Sequence, residues 1–274
     1  MTAASAPPLF DRAALTARRA RANDDSLFLH RAAVEEVQDR LSMVKRVFTA
    51  PVIVTPFAEI WREAFPQARI ISDDDTLDLE PGQHDLAIHA MCLHVANDPV
   101  GQIIQCRRAL KPDGFLLVLM LGGETLSELR AVLGQAESEV TGGLSPRVAP
   151  MGEIRDLGAL LQRAGLALPV ADSLTLTAEY RDLAHLMHDL RGMAETNVMT
   201  ARLHHPTRRA VFDRANQLYA DHFTAGSGRL RASFEMVCLT GWAPDESQPK
   251  PLRPGSAKAR LADALQAMEF KLPD

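Results

Sequence analysis

Short, nearly all-apolar runs alternate in this chain with stretches whose apolar residues recur every three or four positions. That alternation is the tightest limit on how it can fold. Val52-Ile53-Val54, Arg69 to Ser72, Asp85 to Cys92 and Phe115-Leu116-Leu117-Val118-Leu119 read as strands. The last is the clearest, launched by the turn Lys111-Pro112-Asp113-Gly114. One helical stripe, Val34, Val37, Leu41 and Val44, follows the cap cluster Asn23-Asp24-Asp25-Ser26. Another, Phe57, Ile60, Trp61, Ala64 and Phe65, starts from Thr55 as N-cap and Pro56 at the first helical position. A third helix begins at Asp98 and Pro99 and runs through Leu110. Strands with continuous apolar centres need cover on both faces. The expected fold class is α/β, a doubly wound, Rossmann-like parallel sheet.

Further along, Leu126, Leu129, Val132, Leu133 and Ala136 mark a helix after Gly122-Gly123, and a glycine-proline loop runs from Thr141 to Pro150. Ile154, Leu157, Leu160 and Leu161 mark the next helix, closed by Gly165. Residues 184–223 read as mostly helical, and Ser233 to Trp242 returns as a late strand. The expected organisation is an N-terminal segment and helix (1–44, the first fourteen or so residues loose), an α/β domain (45–257) and a tail (258–274). The domain includes a helical lobe at about 180–230. A proline-rich connector, Pro244 to Pro254, leads to a short amphipathic helix ending near Phe270.

At 274 residues, 46% apolar and 24% charged, the chain can bury a full core. A net charge of −5 gives no reason to expect nucleic acid as a partner. Its three widely spaced cysteines, Cys92, Cys106 and Cys238, suit buried thiols in a reducing compartment rather than a disulfide framework. There is no apolar run of transmembrane length and no signal-peptide core, so a cytoplasmic protein is expected. Without a GxSxG elbow or a P-loop, hydrolase and nucleotide-triphosphatase readings have no support.

Several segments share an order with a known family. They are Leu9-Phe10-Asp11-Arg12, HDLAIHAMCLHVAND from His84 to Asp98, ALKPDGFLLVLMLGGETLSELR from Ala109 to Arg130, GGLSPRVAP from Gly142, DLGALLQRAG from Asp156, DLRGMAETN from Asp189 and GWAPDESQ from Gly241. Together, over roughly residues 9 to 257, the chain resembles the methyltransferase-like family that includes the arginine-hydroxylating assembly factor of respiratory complex I. The malonyl-carrier-protein methyltransferase of biotin synthesis is a more distant relative. The resemblance implies a class I methyltransferase sheet, S-adenosylmethionine as cofactor and a protein substrate, either a respiratory complex subunit or an acyl carrier protein.

Against that family pattern, no glycine precedes Gly82. The cofactor-binding turn after the first strand, normally glycine-rich so that backbone can approach the ligand, reads Thr55-Pro56-Phe57-Ala58, and Pro56 has no N–H to offer. IISDDDTLDLEPGQHDL aligns best with the family's third-strand region, which leaves the sheet one strand–helix unit short: the second strand and its ribose-binding acid are missing. An alternative alignment keeps the second strand and uses Asp73 or Asp74 as that acid.

Thr55, Asp73, Asp74, His89, Ala90 and His94 are the expected cofactor-side residues. Asp73-Asp74-Asp75 closes a strand at the sheet's carboxyl edge, where ligands bind in open α/β folds; the alternative is a solvated acidic turn. His89 and His94 flank Cys92 at a spacing that matches no metal pattern, so no metal is expected; His89 suits a structural role and His94 the lining of a cleft. On the substrate side stand Gly123, Glu124, Arg147, Glu195, Asn197 and Trp242. Glycine at 122 and 123 permits close approach, Glu124 suits a helix N-terminus and Arg147 sits in a loop over the sheet. Trp242 is equally at home in a core. No catalytic residue stands out. The expected function is an S-adenosylmethionine-dependent methyltransferase-type enzyme acting on a protein or carrier-bound substrate; the alternative is a non-catalytic assembly or chaperone protein that keeps the fold and its substrate cleft.

Overall fold

Pro51–Val54 (β1), Arg69–Ile71 (β2), His84–Ala90 (β3) and Leu110–Leu121 (β4) run parallel at the centre of a computed structural model that describes residues 7–249. Ala167–Tyr180 (β5) and Leu230–Trp242 (β6) complete a six-stranded sheet of order β2-β1-β3-β4-β6-β5. β3 is buried along its whole length and β4 from Gly114 onward, as continuous apolar runs demand. The parallel expectation holds for four strands only, because β6 runs antiparallel to β4 and β5 antiparallel to β6. β5 escapes a sequence reading. Leu174, Leu176 and Ala178 do alternate inward, but Pro169 and Asp172 interrupt the pattern on an edge strand open on one side.

The helices are Arg12–Arg19 (α1), Phe28–Met43 (α2), Ala58–Ala64 (α3), Pro99–Ala109 (α4), Ser127–Thr141 (α5), Ile154–Arg163 (α6), Leu183–Gly192 (α7) and Arg209–His222 (α8). α1 begins at Arg12, within the last few residues of the stretch expected to be loose. Asp11 caps it by accepting the Ala14 N–H at 2.9 Å, and Leu15 faces the core. α3 begins later than Thr55 and Pro56 suggest; the Thr55 hydroxyl catches only the Phe57 N–H, at 3.3 Å.

β2 pairs directly with β1, Val52 opposite Arg69. The segment aligned with the third-strand region therefore takes the place of the second strand. The sheet is still one strand–helix unit short, but the missing unit is the one beyond β2, where no strand lies among the described residues.

One face of the sheet is covered by α2, α3, α5, α7 and α8 around Trp61, Tyr219 and Phe234; the other by α4 and α6 around Ile103, Leu157 and Leu161. Each such fully buried apolar side chain stabilises the fold by about 2–3 kcal/mol. The helices expected to form a lobe thus share a core with the sheet, as does the N-terminal segment through Leu27, Leu29 and Val37. The compact unit ends at Pro244. In residues 245–249, Asp245 accepts from the Ser247 N–H at 2.9 Å and hydroxyl at 2.6 Å. The tail expected over 258–274, with its helix near Phe270, lies outside the described residues. No helix among them is long and apolar enough to cross a membrane. All three cysteines are free and buried, and burial pushes the Cys106 and Cys238 thiols up to about 12.

Candidate functional site

The carboxyl ends of β1, β2 and β3 converge where an α/β sheet of this kind holds a nucleotide. Asp73, two residues past β2, is buried there. Its carboxylate accepts two bonds from Arg19 Nη1, at 2.8 and 2.9 Å, and one from Arg12 Nη1 at 3.3 Å. Arg12 Nη2 also donates to the Asp73 carbonyl at 2.8 Å. Burial alone would raise the Asp73 pKa, but the two guanidinium groups outweigh it and hold the carboxyl below the usual range. Asp74 stays exposed, bonded by the Ser72 hydroxyl and 3.8 Å from Arg12.

The other expected cofactor contacts are also engaged. The Thr55 N–H donates to the Ile71 carbonyl at 3.0 Å. His89 is sealed in the core, Nε2 donating to Gln102 Oε1 at 2.8 Å, and burial pushes its pKa down to about 4. It is a neutral structural histidine, and Ala90 beside it is fully buried. Beside them, Leu15, Arg19, Pro56, Phe57, Met91 and Glu195 line a small cavity of about 10 Å³ that none of these expected contacts borders. Sites for drug-sized ligands start at about 300 Å³. S-adenosylmethionine does not fit this crevice. In this arrangement α1 supplies Asp73 with the hydrogen-bond donors that a ribose would have offered. Met91 (φ 55°) and Ala194 (φ 62°) both hold left-handed backbone here, at a cost of about 1–3 kcal/mol each.

A much larger cavity, about 710 Å³, opens on the helical side of the same strand ends. Glu195, Thr196, Val95 and Val198 border both spaces. His94 lies in its wall with its side chain almost fully buried, Nε2 donating to Glu195 Oε2 at 3.1 Å. Its Nδ1 is buried and has no partner among the described residues. Burial works to raise the Glu195 carboxyl, but attraction to His94 and its hydrogen bond, with His30 and Arg19 nearby, hold it below the usual range. Arg147 pairs with Glu137 through two bonds of 2.6 and 3.0 Å and reaches Thr207 Oγ1 at 2.8 Å. Asn197 Nδ2 donates to the Pro146 carbonyl at 2.8 Å, tying the two loops together.

Arg147, Glu195 and Asn197, expected on the substrate side, therefore meet at one cavity, and His94 joins them from the cofactor side. Gly123, Glu124 and Trp242 lie elsewhere. Gly123 donates to the Gly152 carbonyl at 3.1 Å, and the Glu124 N–H to Glu235 Oε2 at 3.0 Å, so both hold loops against the sheet. Trp242 is paired with Phe115 at the opposite end of β4, their rings 4.6 Å apart, and packs the core. Arg18 and Arg202 line the cavity without having been singled out by the sequence, since isolated arginines carry no spacing signal. Among the described residues no group of His, Cys, Asp and Glu could hold a metal ion.

The methyltransferase domain family matches residues 31–118. Arginine-hydroxylase NDUFAF5, mitochondrial, of Danio rerio is 32% identical over 224 residues, covering 81% of this chain and 68% of that protein. Its Homo sapiens counterpart is 32% identical over 223 residues, 80% of this chain and 64% of its own length. Malonyl-[acyl-carrier protein] O-methyltransferase of Xylella fastidiosa (strain M23) is 30% identical over 179 residues, covering 65% of this chain and 58% of that protein. Among solved structures, the YcgJ protein of Bacillus subtilis aligns with a TM-score of 0.50 at 12% identity, over 79% of this chain and 100% of that one, a likeness of fold alone. With a methyltransferase-type sheet and relatives matched over most of its length, the chain belongs to the methyltransferase-like family of arginine-hydroxylase NDUFAF5.

Proposed function

We propose that this chain is a non-catalytic assembly protein built on a methyltransferase fold, which has closed its cofactor seat and works through the neighbouring cavity. The observation that carries this reading is the engagement of Asp73 by Arg12 and Arg19, with Arg19 also lining a cavity of only about 10 Å³ beside Pro56 and Phe57. A buried carboxylate bonded by two cations would have to give up those charged bonds to hold both hydroxyls of a ribose. The resemblance points to a respiratory complex I subunit as partner, with an acyl carrier protein as the other candidate.

The second reading, an S-adenosylmethionine-dependent enzyme acting on a protein substrate, is favoured by the matched methyltransferase domain. It requires α1 to leave Asp73. Titration calorimetry separates the two. No heat with S-adenosylmethionine at millimolar concentration is expected; micromolar binding, abolished by Asp73→Ala, would overturn the proposal. Affinity capture from lysate should enrich a respiratory subunit or carrier protein, and failure to enrich either counts against the assembly role.

A further inference from the structure

The charge around the large cavity is lopsided. Arg18, Arg21, Arg147, Arg191 and Arg202 line it against a single acid, Glu195, which is already bonded to His94. Arg147 is matched by Glu137, and Arg202 by Asp11 at 2.8 Å. Arg18, Arg21 and Arg191 make no ion pair among the described residues. Arg18 is the telling one, because it is half-buried rather than solvated. Its Nη1 donates to neutral acceptors only, Thr196 Oγ1 at 2.8 Å and the Asn197 carbonyl, and its Nη2 and Nε make no hydrogen bond among the described residues. Burial, and then the charge of Arg202, lower its pKa against a smaller raising pull from Asp11. A guanidinium in a cavity wall whose remaining donors are not taken up by protein groups is placed to bond an anion.

The rest of the lining is apolar. Leu126, Leu129, Leu133, Met151 and Phe234 form a wall beside these cations. A volume of about 710 Å³ is the size of a small-molecule site rather than a packing defect. The unpartnered Nδ1 of His94 adds a further polar atom at the cavity wall that protein groups leave unsatisfied.

We infer that this cavity binds an amphipathic oxyanion, its carboxylate or phosphate head against Arg18 and its aliphatic or aromatic body along the leucine, methionine and phenylalanine wall. A guanidinium or ammonium head has the wrong sign for such a lining. The inference rests on the reading of this cavity as the working site, yet it stands or falls separately from the loss of the cofactor seat. Titration with S-adenosylmethionine reports on the crevice at Asp73, titration with an amphipathic anion on Arg18.

The experiment is calorimetric titration of the full chain with octanoate, octyl phosphate, octanol and octylammonium at low salt. At least one of the two anions should bind about tenfold or more tightly than octanol and octylammonium, and which anion binds better identifies the head group. Arg18→Gln should weaken that anion about tenfold or more, with Arg18→Lys restoring part of the loss. Arg191→Glu, at an exposed rim position with no partner among the described residues, should weaken it several-fold without touching the fold, so the proposal stays testable if Arg18→Gln is unstable. Equal binding of octanol or octylammonium, no binding of either anion, or an anion affinity unmoved by Arg191→Glu would each overturn it.

Discussion

A single carboxylate decides how the strand ends are used. Asp73 sits where a ribose acid belongs, and α1 answers it with Arg12 and Arg19 from one helix face, two turns apart. Removing one partner of a buried ion pair leaves the other charges desolvated. Asp73→Ala should therefore lower stability by about 3 kcal/mol in urea unfolding, whereas a loss within a few tenths of a kcal/mol would mean the cluster is a solvated surface contact. Legibility at this scale was uneven. His94, Arg147, Glu195 and Asn197 could be placed because each lies in a segment shared with the family. The fate of Asp73 could not, because its partners are 54 and 61 residues away along the chain and nothing local announces the pairing. Trp242, which a core role suited equally well, packs against Phe115.

At the scale of elements, the proposal rests on α1, which packs beside the strand ends and bonds Asp73 through Arg12 and Arg19. The helix is fixed from three sides. The Asp11 N–H donates to the Val198 carbonyl at 2.9 Å, the Phe10 backbone exchanges two bonds with the Asn97 side chain, and Leu15 packs with Val95, Val198 and Met199. Replacing Arg12 and Arg19 together by Gln removes the charged bonds but leaves those anchors. Amide exchange in α1 should then accelerate about tenfold or more while β3 keeps its protection; an unchanged α1 would show that the arginines do not hold it. The central strands and their covering helices were legible because an apolar run and a helical stripe are local signals. α1 was not, although Asp11 as cap with Leu15 at the next inward position was the available clue. β5 was obscured by Pro169 and Asp172, and the place of β2 beside β1 is a question of pairing, which no local pattern answers.

The molecule as a whole carries its acid sensitivity in buried histidines. Burial pushes His30 and His89 down to about 4, from an ordinary value of 6.5, so both are neutral in the native state. As pH falls below 6.5 the unfolded chain takes up protons that the folded chain refuses, and stability declines until the pH reaches about 4. The loss over that window is roughly 3 kcal/mol for each histidine. Asp73 and Glu195, whose folded values are depressed, add a second loss at still lower pH, as they protonate. Urea midpoints should be level above about pH 7 and drop steadily from there to pH 4; a midpoint unmoved down to about pH 5 would contradict the burial of these rings as the cause.

All of these features hang on the crevice at Asp73 being filled from within and the larger cavity beside it being the space that binds. Crystals of the chain grown in millimolar S-adenosylmethionine test this most directly. The account predicts electron density with Arg12 and Arg19 on Asp73, Leu15 and Phe57 in place, and nothing between the strand ends. Density for an adenosine against Asp73, with α1 swung away, would contradict it.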